Sequence, residues 1–321
     1  MTQTDNNQRK SSVKVFKRIK RKIRECVLYF RYRSFLQKGF PYQIMSDDET
    51  LDYIIKNKCS ISRFGDGELN MVFKYFDKSL RISKCFQNYD DALAKRLYDI
   101  LKVENNGKRH LVCLPYLFCP EGMAERNNDA QFFWKRFLCR HINRLPQFLS
   151  KSYLYGDATI SRFYLSKIRK EDCPAYVSHL KQIWNQRKIY FVEGEFSRLG
   201  VGNDLFDNAA SISRIICPSV NAFARYEKIL DLICEKVSKD SLIILALGHT
   251  ATLLSYDLSE LGYQALDLGH IDVEYEWMLM GATEKVALAN KAVNEVGRNS
   301  STGGHSNMDK VYESQIVARV I

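Results

Sequence analysis

The chain has 321 residues, of which 45% are hydrophobic and 26% charged. That profile excludes wholesale disorder and leaves room for one large domain or two modest ones around a true core. The formal net charge is +11, but residues 1–38 hold twelve lysines and arginines against only Asp5 and Glu25, so +10 of it sits there. The remaining chain is nearly neutral and lacks the basic face that nucleic acid demands, so no nucleic-acid partner is expected. Nine cysteines are scattered singly with no CxxC pair. This is the pattern of a reduced protein that uses cysteine as a small hydrophobe, and a zinc site is not expected. No run approaches the ~18 apolar residues of a membrane span. The charged N-terminus lacks the apolar stretch of a secretory signal, so the expected location is cytoplasmic.

Two units are expected: a basic amphipathic segment, residues 1–40, and one domain, residues 41–321. From Val13 onward, Phe16, Ile19, Ile23, Val27 and Phe30 recur at steps of three and four with basic residues between them, which is helical spacing. Such a helix suits an anionic membrane surface, engaged through residues 13–38 with about 1 kcal/mol per basic residue, and so a peripheral position at the inner membrane. It equally suits docking on the body or on another subunit. Ser46 and Glu49 offer a capping box ahead of a helix through Leu51, Ile54 and Ile55. Residues 59–65 then read as a short strand. Further strand candidates are 111–114, 153–155, 189–192, 212–217, 242–247 and 265–268, and helical patterns occupy 120–149, 221–237 and 250–261. Strands that alternate with helices and stay apolar on both faces predict an α/β fold with a mostly parallel sheet covered on both sides. Residues 297–309 read as a flexible loop, and the alternating tail 315–321 as a segment that docks back on the body.

Three clusters follow predicted strands. In Arg63-Phe64-Gly65-Asp66-Gly67-Glu68, two carboxylates on a glycine-flanked turn can face one hard cation, Mn²⁺ or Mg²⁺, that keeps positions open for phosphate oxygens. Arg63 is placed to contact the same phosphates. The same residues also suit a solvated turn in which Asp66 caps the next helix. In the run from Glu193 to Phe206, Gly194, Gly200 and Gly202 allow backbone N–H groups to turn toward a phosphate, with Arg198 as charge partner. A tight structural turn, with Asn203 or Asp204 as cap, reads equally well. In Gly269-His270-Ile271-Asp272-Val273-Glu274-Tyr275-Glu276-Trp277, four titratable side chains alternate. At strand spacing all four share a face, and at helix spacing Asp272 and Glu276 do. The interleaved apolar residues suggest an enclosed place where a carboxylate can act as general base. Tyr155-Gly156-Asp157 with Ser161-Arg162 is a fainter signal: Asp157 for a sugar hydroxyl and Arg162 for a phosphate, or a salt-bridged loop.

Taken in order, Arg63-x-Gly65-Asp66-Gly67-Glu68, Gly156-Asp157-Ala158-x-x-x-Arg162, Arg198-x-Gly200-Val201-Gly202-Asn203-Asp204-Leu205-Phe206, Asn221-Ala222-Phe223 and the run from Gly269 to Trp277 resemble the bacterial D-type (GT-D fold) glycosyltransferases. The resemblance covers about residues 45–321 and leaves out the basic segment. It implies a Rossmann-like fold and transfer of a sugar, glucose or a related hexose, from a nucleotide-sugar such as UDP-glucose. The implied acceptor is a saccharide on a protein or lipid carrier, in glycoprotein or surface polysaccharide biosynthesis. It implies a divalent metal, Mn²⁺ or Mg²⁺, held by Asp66 and Glu68. It also implies a donor site drawn from Arg63, Gly65, Asp157, Arg162, Arg198, Gly200, Gly202, Asn203, Asp204 and Glu274, and Glu276 as catalytic base with His270 and Asp272 nearby. One departure stands out: the family pattern has proline after Gly248, where this chain has His249. The reading from another class is a non-catalytic nucleotide- or glycan-binding scaffold of a surface-glycan assembly complex.

Overall fold

The computed structural model describes residues 23, 26–37, 39–82, 86–103, 109–288, 291, 293 and 307–320. Helix α1 (26–37) leads into β1 (Gln43–Ile44), α2 (Asp47–Asn57), β2 (Ser60–Arg63) and α3 (Asp66–Phe76). Then come α4 (Asp91–Leu101), β3 (His110–Leu114), α5 (Pro120–Ala124), α6 (Asn128–His141), β4 (Leu154–Asp157) and α7 (Cys173–Leu180). The second half holds β5 (Lys188–Gly194), β6 (Ser211–Cys217), α8 (Tyr226–Lys236), β7 (Leu242–Ala246), α9 (His249–Glu260), β8 (Gln264–Asp267), α10 (Ile271–Leu279), α11 (Asn307–Gln315) and β9 (Ile316–Arg319).

The nine strands form one sheet in the order β1-β4-β3-β2-β8-β7-β5-β6-β9, and every adjacent pair is parallel. Parallel pairing needs crossovers, and the helices that supply them cover the sheet. The strand sequences reflect this. All five residues of β3 are buried and Leu111 to Leu114 read as an apolar run, while β8, equally buried, carries Gln264 and Asp267 at its ends. The expected α/β architecture is therefore present. From β2 the chain moves outward to β3 and β4. On the other side β5 is followed by the outer β6, and the chain then moves inward through β7 to β8. The two directions meet at β2 and β8, joined in register at Ile61 and Leu266. In an open parallel sheet that reversal leaves a crevice at the strands' carboxyl ends.

Local chemistry fixes the boundaries. The Ser46 hydroxyl accepts from the Glu49 N–H at 3.3 Å while the Glu49 carboxylate accepts from the Ser46 N–H at 2.8 Å, the expected capping box of α2. The alternating tail becomes β9, an edge strand parallel to β6. The short β1 and the helix α4 were not anticipated. Of the expected loop 297–309, residues 297–306 lie outside the described residues, while 307–309 begin α11. Phe16 and Ile19 of the basic segment likewise lie outside. Helix α1 docks through Tyr32 and Phe35, both buried, with the Phe35 ring 6.1 Å from Phe40 and Phe40 5.6 Å from Phe118. Ile23, Val27 and Phe30 stay exposed at 59%, 48% and 66%. At 100° per residue they fall on a different face from Tyr32 and Phe35.

Candidate active site

A cleft of about 430 Å³ opens at the carboxyl ends of the central strands. Three helices begin in its wall: α3 contributes Asp66, Gly67 and Glu68, α9 contributes His249, and His270 and Asp272 come from the start of α10. Neither α9 nor α10 has a side-chain N-cap. Each helix presents N–H groups and the positive end of its dipole, so the cleft favours an anion with several oxygens. Gly248, which precedes α9, has φ +55°, and a Cβ there would lie 1.8 Å from a Phe86 ring carbon. The turn into α9 therefore requires glycine.

Asp66 is the first residue of α3, and Glu68 the third. Burial, then the nearby Glu68, pushes the Asp66 carboxyl above its ordinary range. Glu68 Oε2 accepts from the Gly65 N–H at 2.9 Å, so this carboxylate also caps its own helix. Its Oε1 faces His249 Nε2 at 3.7 Å. Among the described residues no group of three His, Cys, Asp or Glu side chains forms a metal cage. The Asp66 and Glu68 carboxylates supply two oxygen donors, which suits a divalent cation that takes its other ligands from phosphate oxygens and water, as Mg²⁺ and Mn²⁺ do in nucleotide sites. Arg162 also lines the cleft, with its guanidinium 3.9 Å from Glu274.

Arg63 is an organiser of the strand ends. Its guanidinium donates to Asp267 Oδ1 at 2.9 Å, Ser161 Oγ at 2.6 Å, the Ala158 carbonyl at 3.3 Å and the Gly269 carbonyl at 3.2 Å. It thereby ties together the ends of β2, β4 and β8. Asp157 is fully buried, and its Oδ1 accepts from the Tyr116 and Thr159 N–H groups. It shapes the loop after β4 and does not reach the cleft in this structure.

The glycine-rich loop after β5 contributes Gly194, Phe196, Ser197 and Leu199 to the lining. Its amides turn largely inward. The Leu199 N–H donates to Glu193 at 2.8 Å, and the Gly200 N–H donates to Asp272 at 3.0 Å. Glu193 is itself buried and paired with Arg214. Gly200 has φ +71°, with the Phe206 ring against it, and Gly202 has φ +86°. Arg198 stacks its guanidinium 4.6 Å from the Tyr312 ring. Asp204 accepts from the Tyr275 hydroxyl at 2.6 Å, and no helix follows it for Asn203 or Asp204 to cap.

The run from Ile271 is helical, which decides between the two spacings. Asp272 and Glu276 share one face, and Glu274 points elsewhere, accepting from the Tyr164 and Leu165 N–H groups at 3.0 and 2.8 Å. Asn203 Nδ2 donates to both Asp272 and Glu276 at 2.7 Å. Lys291, which sequence reasoning missed, donates to Asp272 at 2.6 Å and to Glu276 at 2.9 Å. Burial raises the Asp272 and Glu274 carboxyls, against the pull of Lys291 and Arg162 respectively. Nothing in the sequence marks Lys291, which lies fifteen positions past Glu276 in a stretch without periodicity.

A sequence profile described as "Glycosyltransferase GT-D fold" matches residues 61–296. The chain is 40% identical over 277 residues to a probable glycosyl transferase, Gly, of Streptococcus gordonii, covering 86% of this chain and 39% of that protein. It is 42% identical over 279 residues to the glycosyltransferase GlyD of Streptococcus pneumoniae, covering 87% and 33%. It thus spans between a third and two-fifths of these curated relatives. A solved structure of the conserved domain of unknown function 1792, described as having a distinct glycosyltransferase fold, superposes with a TM-score of 0.79 at 41% identity, covering 87% of this chain and 96% of that one. Another, described as a new glycosyltransferase from Streptococcus sanguinis, gives 0.79 at 39% identity, covering 87% and 100%. The profile match and the superposed structures cover most of the chain, which belongs to the glycosyltransferases of the GT-D fold.

Proposed function

We propose that this chain transfers a hexose, glucose or a close relative, from a UDP-sugar to a saccharide acceptor carried on protein or lipid, and that it does so with a divalent cation. The observation that carries this reading is the convergence of three helix N-termini with Asp66 and Glu68 in one crevice at the topological switch point. A nucleotide diphosphate supplies the oxygens such a place attracts. Asp66 and Glu68 hold the cation, Mn²⁺ or Mg²⁺. When bound, it neutralises charge on the departing diphosphate. Arg162 supports the same phosphates from the β4 side, and Arg63 keeps the strand ends in register. On α10, Glu276 is the acceptor-side base, since it is the most exposed of that helix's three carboxylates. Asn203 and Lys291 fix its orientation through Oε1.

The working place is the cytoplasmic face of the membrane. No described helix is long and apolar enough to cross a bilayer, but α1 leaves Ile23, Val27 and Phe30 exposed next to a segment of charge +10. Apolar burial and attraction to anionic lipid act together on such a helix. The test of the catalytic reading is a panel of nucleotide-sugars with Mn²⁺ and a pooled glycan acceptor, scored by nucleotide release. Acceptor-dependent release with a UDP-hexose is expected. Silence with every donor favours the non-catalytic scaffold.

A further inference from the structure

His249 opens α9 in the cleft wall and is only 4% exposed. Neither of its ring nitrogens has a hydrogen-bond partner among the described residues. Buried imidazoles are ordinarily satisfied, so an unpaired one calls for an explanation. The ring is held in place from two sides. Phe86 packs against it at 5.8 Å, and Gly67 lies under it so closely that a Cβ there would come within 2.6 Å of Nε2. Gly67 is the residue between Asp66 and Glu68, so its missing side chain is what lets the imidazole approach the two carboxylates. Nε2 is aimed at Glu68 Oε1 across 3.7 Å, too long for a hydrogen bond.

Resting on the metal reading above, we propose that His249 Nε2 is a nitrogen ligand of the divalent cation held by Asp66 and Glu68. A nitrogen donor beside two carboxylates tilts the site from Mg²⁺, which prefers an all-oxygen shell, toward Mn²⁺ and the later transition ions. A bound cation takes up the Nε2 lone pair, which no donor among the described residues reaches. Asp66, Glu68 and His249 are not gathered around one metal position in this structure, so the cation itself draws the three side chains together. The topology makes the meeting possible. β2 and β7 flank β8, so the helices that follow them, α3 and α9, start side by side although Glu68 and His249 are distant in sequence.

The test is pulsed EPR on the full chain loaded with Mn²⁺ and UDP, with and without ¹⁵N-histidine labelling. The inference expects an imidazole nitrogen coupling that changes isotope on labelling, disappears in His249→Ala and persists in His270→Ala. It also expects His249→Ala to weaken Mn²⁺ binding by about tenfold or more while changing Mg²⁺ binding far less. Gly67→Ala is a second variant: it keeps the histidine but displaces the ring, and should weaken the same coupling. A Mn²⁺–UDP complex without imidazole coupling, or a coupling that survives His249→Ala and vanishes in His270→Ala, overturns the assignment while leaving the metal site standing. Failure of the wild type to bind Mn²⁺ with UDP sinks the metal reading itself, and this inference with it.

Discussion

Replacing Arg63 distinguishes a phosphate ligand from a structural clamp. Its guanidinium is 15% exposed and Asp267 5%, and it also bridges Ser161 and the Ala158 and Gly269 carbonyls. Arg63→Ala leaves the Asp267 carboxylate buried with the Arg63 N–H and the Thr252 hydroxyl as its remaining donors. Removing one partner of a buried ion pair costs about 3–5 kcal/mol, mostly from the stranded charge. Urea denaturation should show a loss of that size with an unchanged slope. Adding Asp267→Asn should recover part of it, because the uncompensated charge is then gone. UDP binding by the folded fraction should fall only as far as the Gly269–His270 turn loosens. Wild-type stability in Arg63→Ala, combined with complete loss of UDP binding, would refute the clamp and restore Arg63 to the phosphate.

Acid should unfold this protein early. Burial holds His110 at about 3 and His141 at about 4, against an ordinary 6.5. The unfolded chain therefore takes protons that the folded one refuses. This stability is complete above the unfolded value and drains as pH falls below it, at about 1.4 kcal/mol per unit per histidine, or roughly 4 kcal/mol for the pair between pH 8 and pH 5. Denaturation midpoints measured across that range check this, and His110→Gln, which keeps a donor for Ser62, should flatten the slope by about half. Lys291→Met strands Asp272, and should cost about 3–5 kcal/mol and lower turnover more than UDP affinity. Unchanged turnover would separate Lys291 from the acceptor side. Val27→Glu with Phe30→Glu, made on the exposed face of α1, should abolish sedimentation with anionic liposomes and leave thermal stability intact. A drop in stability with unchanged sedimentation would instead mark that face as packed. High salt should weaken attachment too, since the screening length contracts to about 3 Å at 1 M.

The legible part of this fold is the part set by burial. Runs such as Leu242–Ala246 are apolar because both faces of the strand are covered, so composition alone reveals them. Ser46 and Glu49 were equally readable, because a capping box is contained in four residues. The site was legible as clusters but not as an arrangement. Asp66, Glu68, His270 and Asp272 do meet in one cleft, as strand-end placement suggested. Arg63 looked like a phosphate ligand, and Asp157 like a partner for a sugar hydroxyl, because each lies beside glycine at a strand end. Spacing could not show that Asp267, Ser161 and Thr159 lie within reach of them. The glycine loop misled for a related reason: its amides were available in sequence, but Glu193 and Asp272 take two of them. Lys291 and His249 join the site through topology, and one lysine or one histidine carries no periodic signal.

In the proposed reaction Asp66 and Glu68 bind a nucleotide diphosphate through a divalent cation. Calorimetric titration of UDP into the wild type and Asp66→Asn, each with Mn²⁺ and with EDTA, tests it most directly. Asp66 lies on the first turn of α3, so the variant should stay folded. Wild-type binding should need Mn²⁺ and fall at least about tenfold in Asp66→Asn. Equal affinity in both proteins, or wild-type binding indifferent to EDTA, would contradict it.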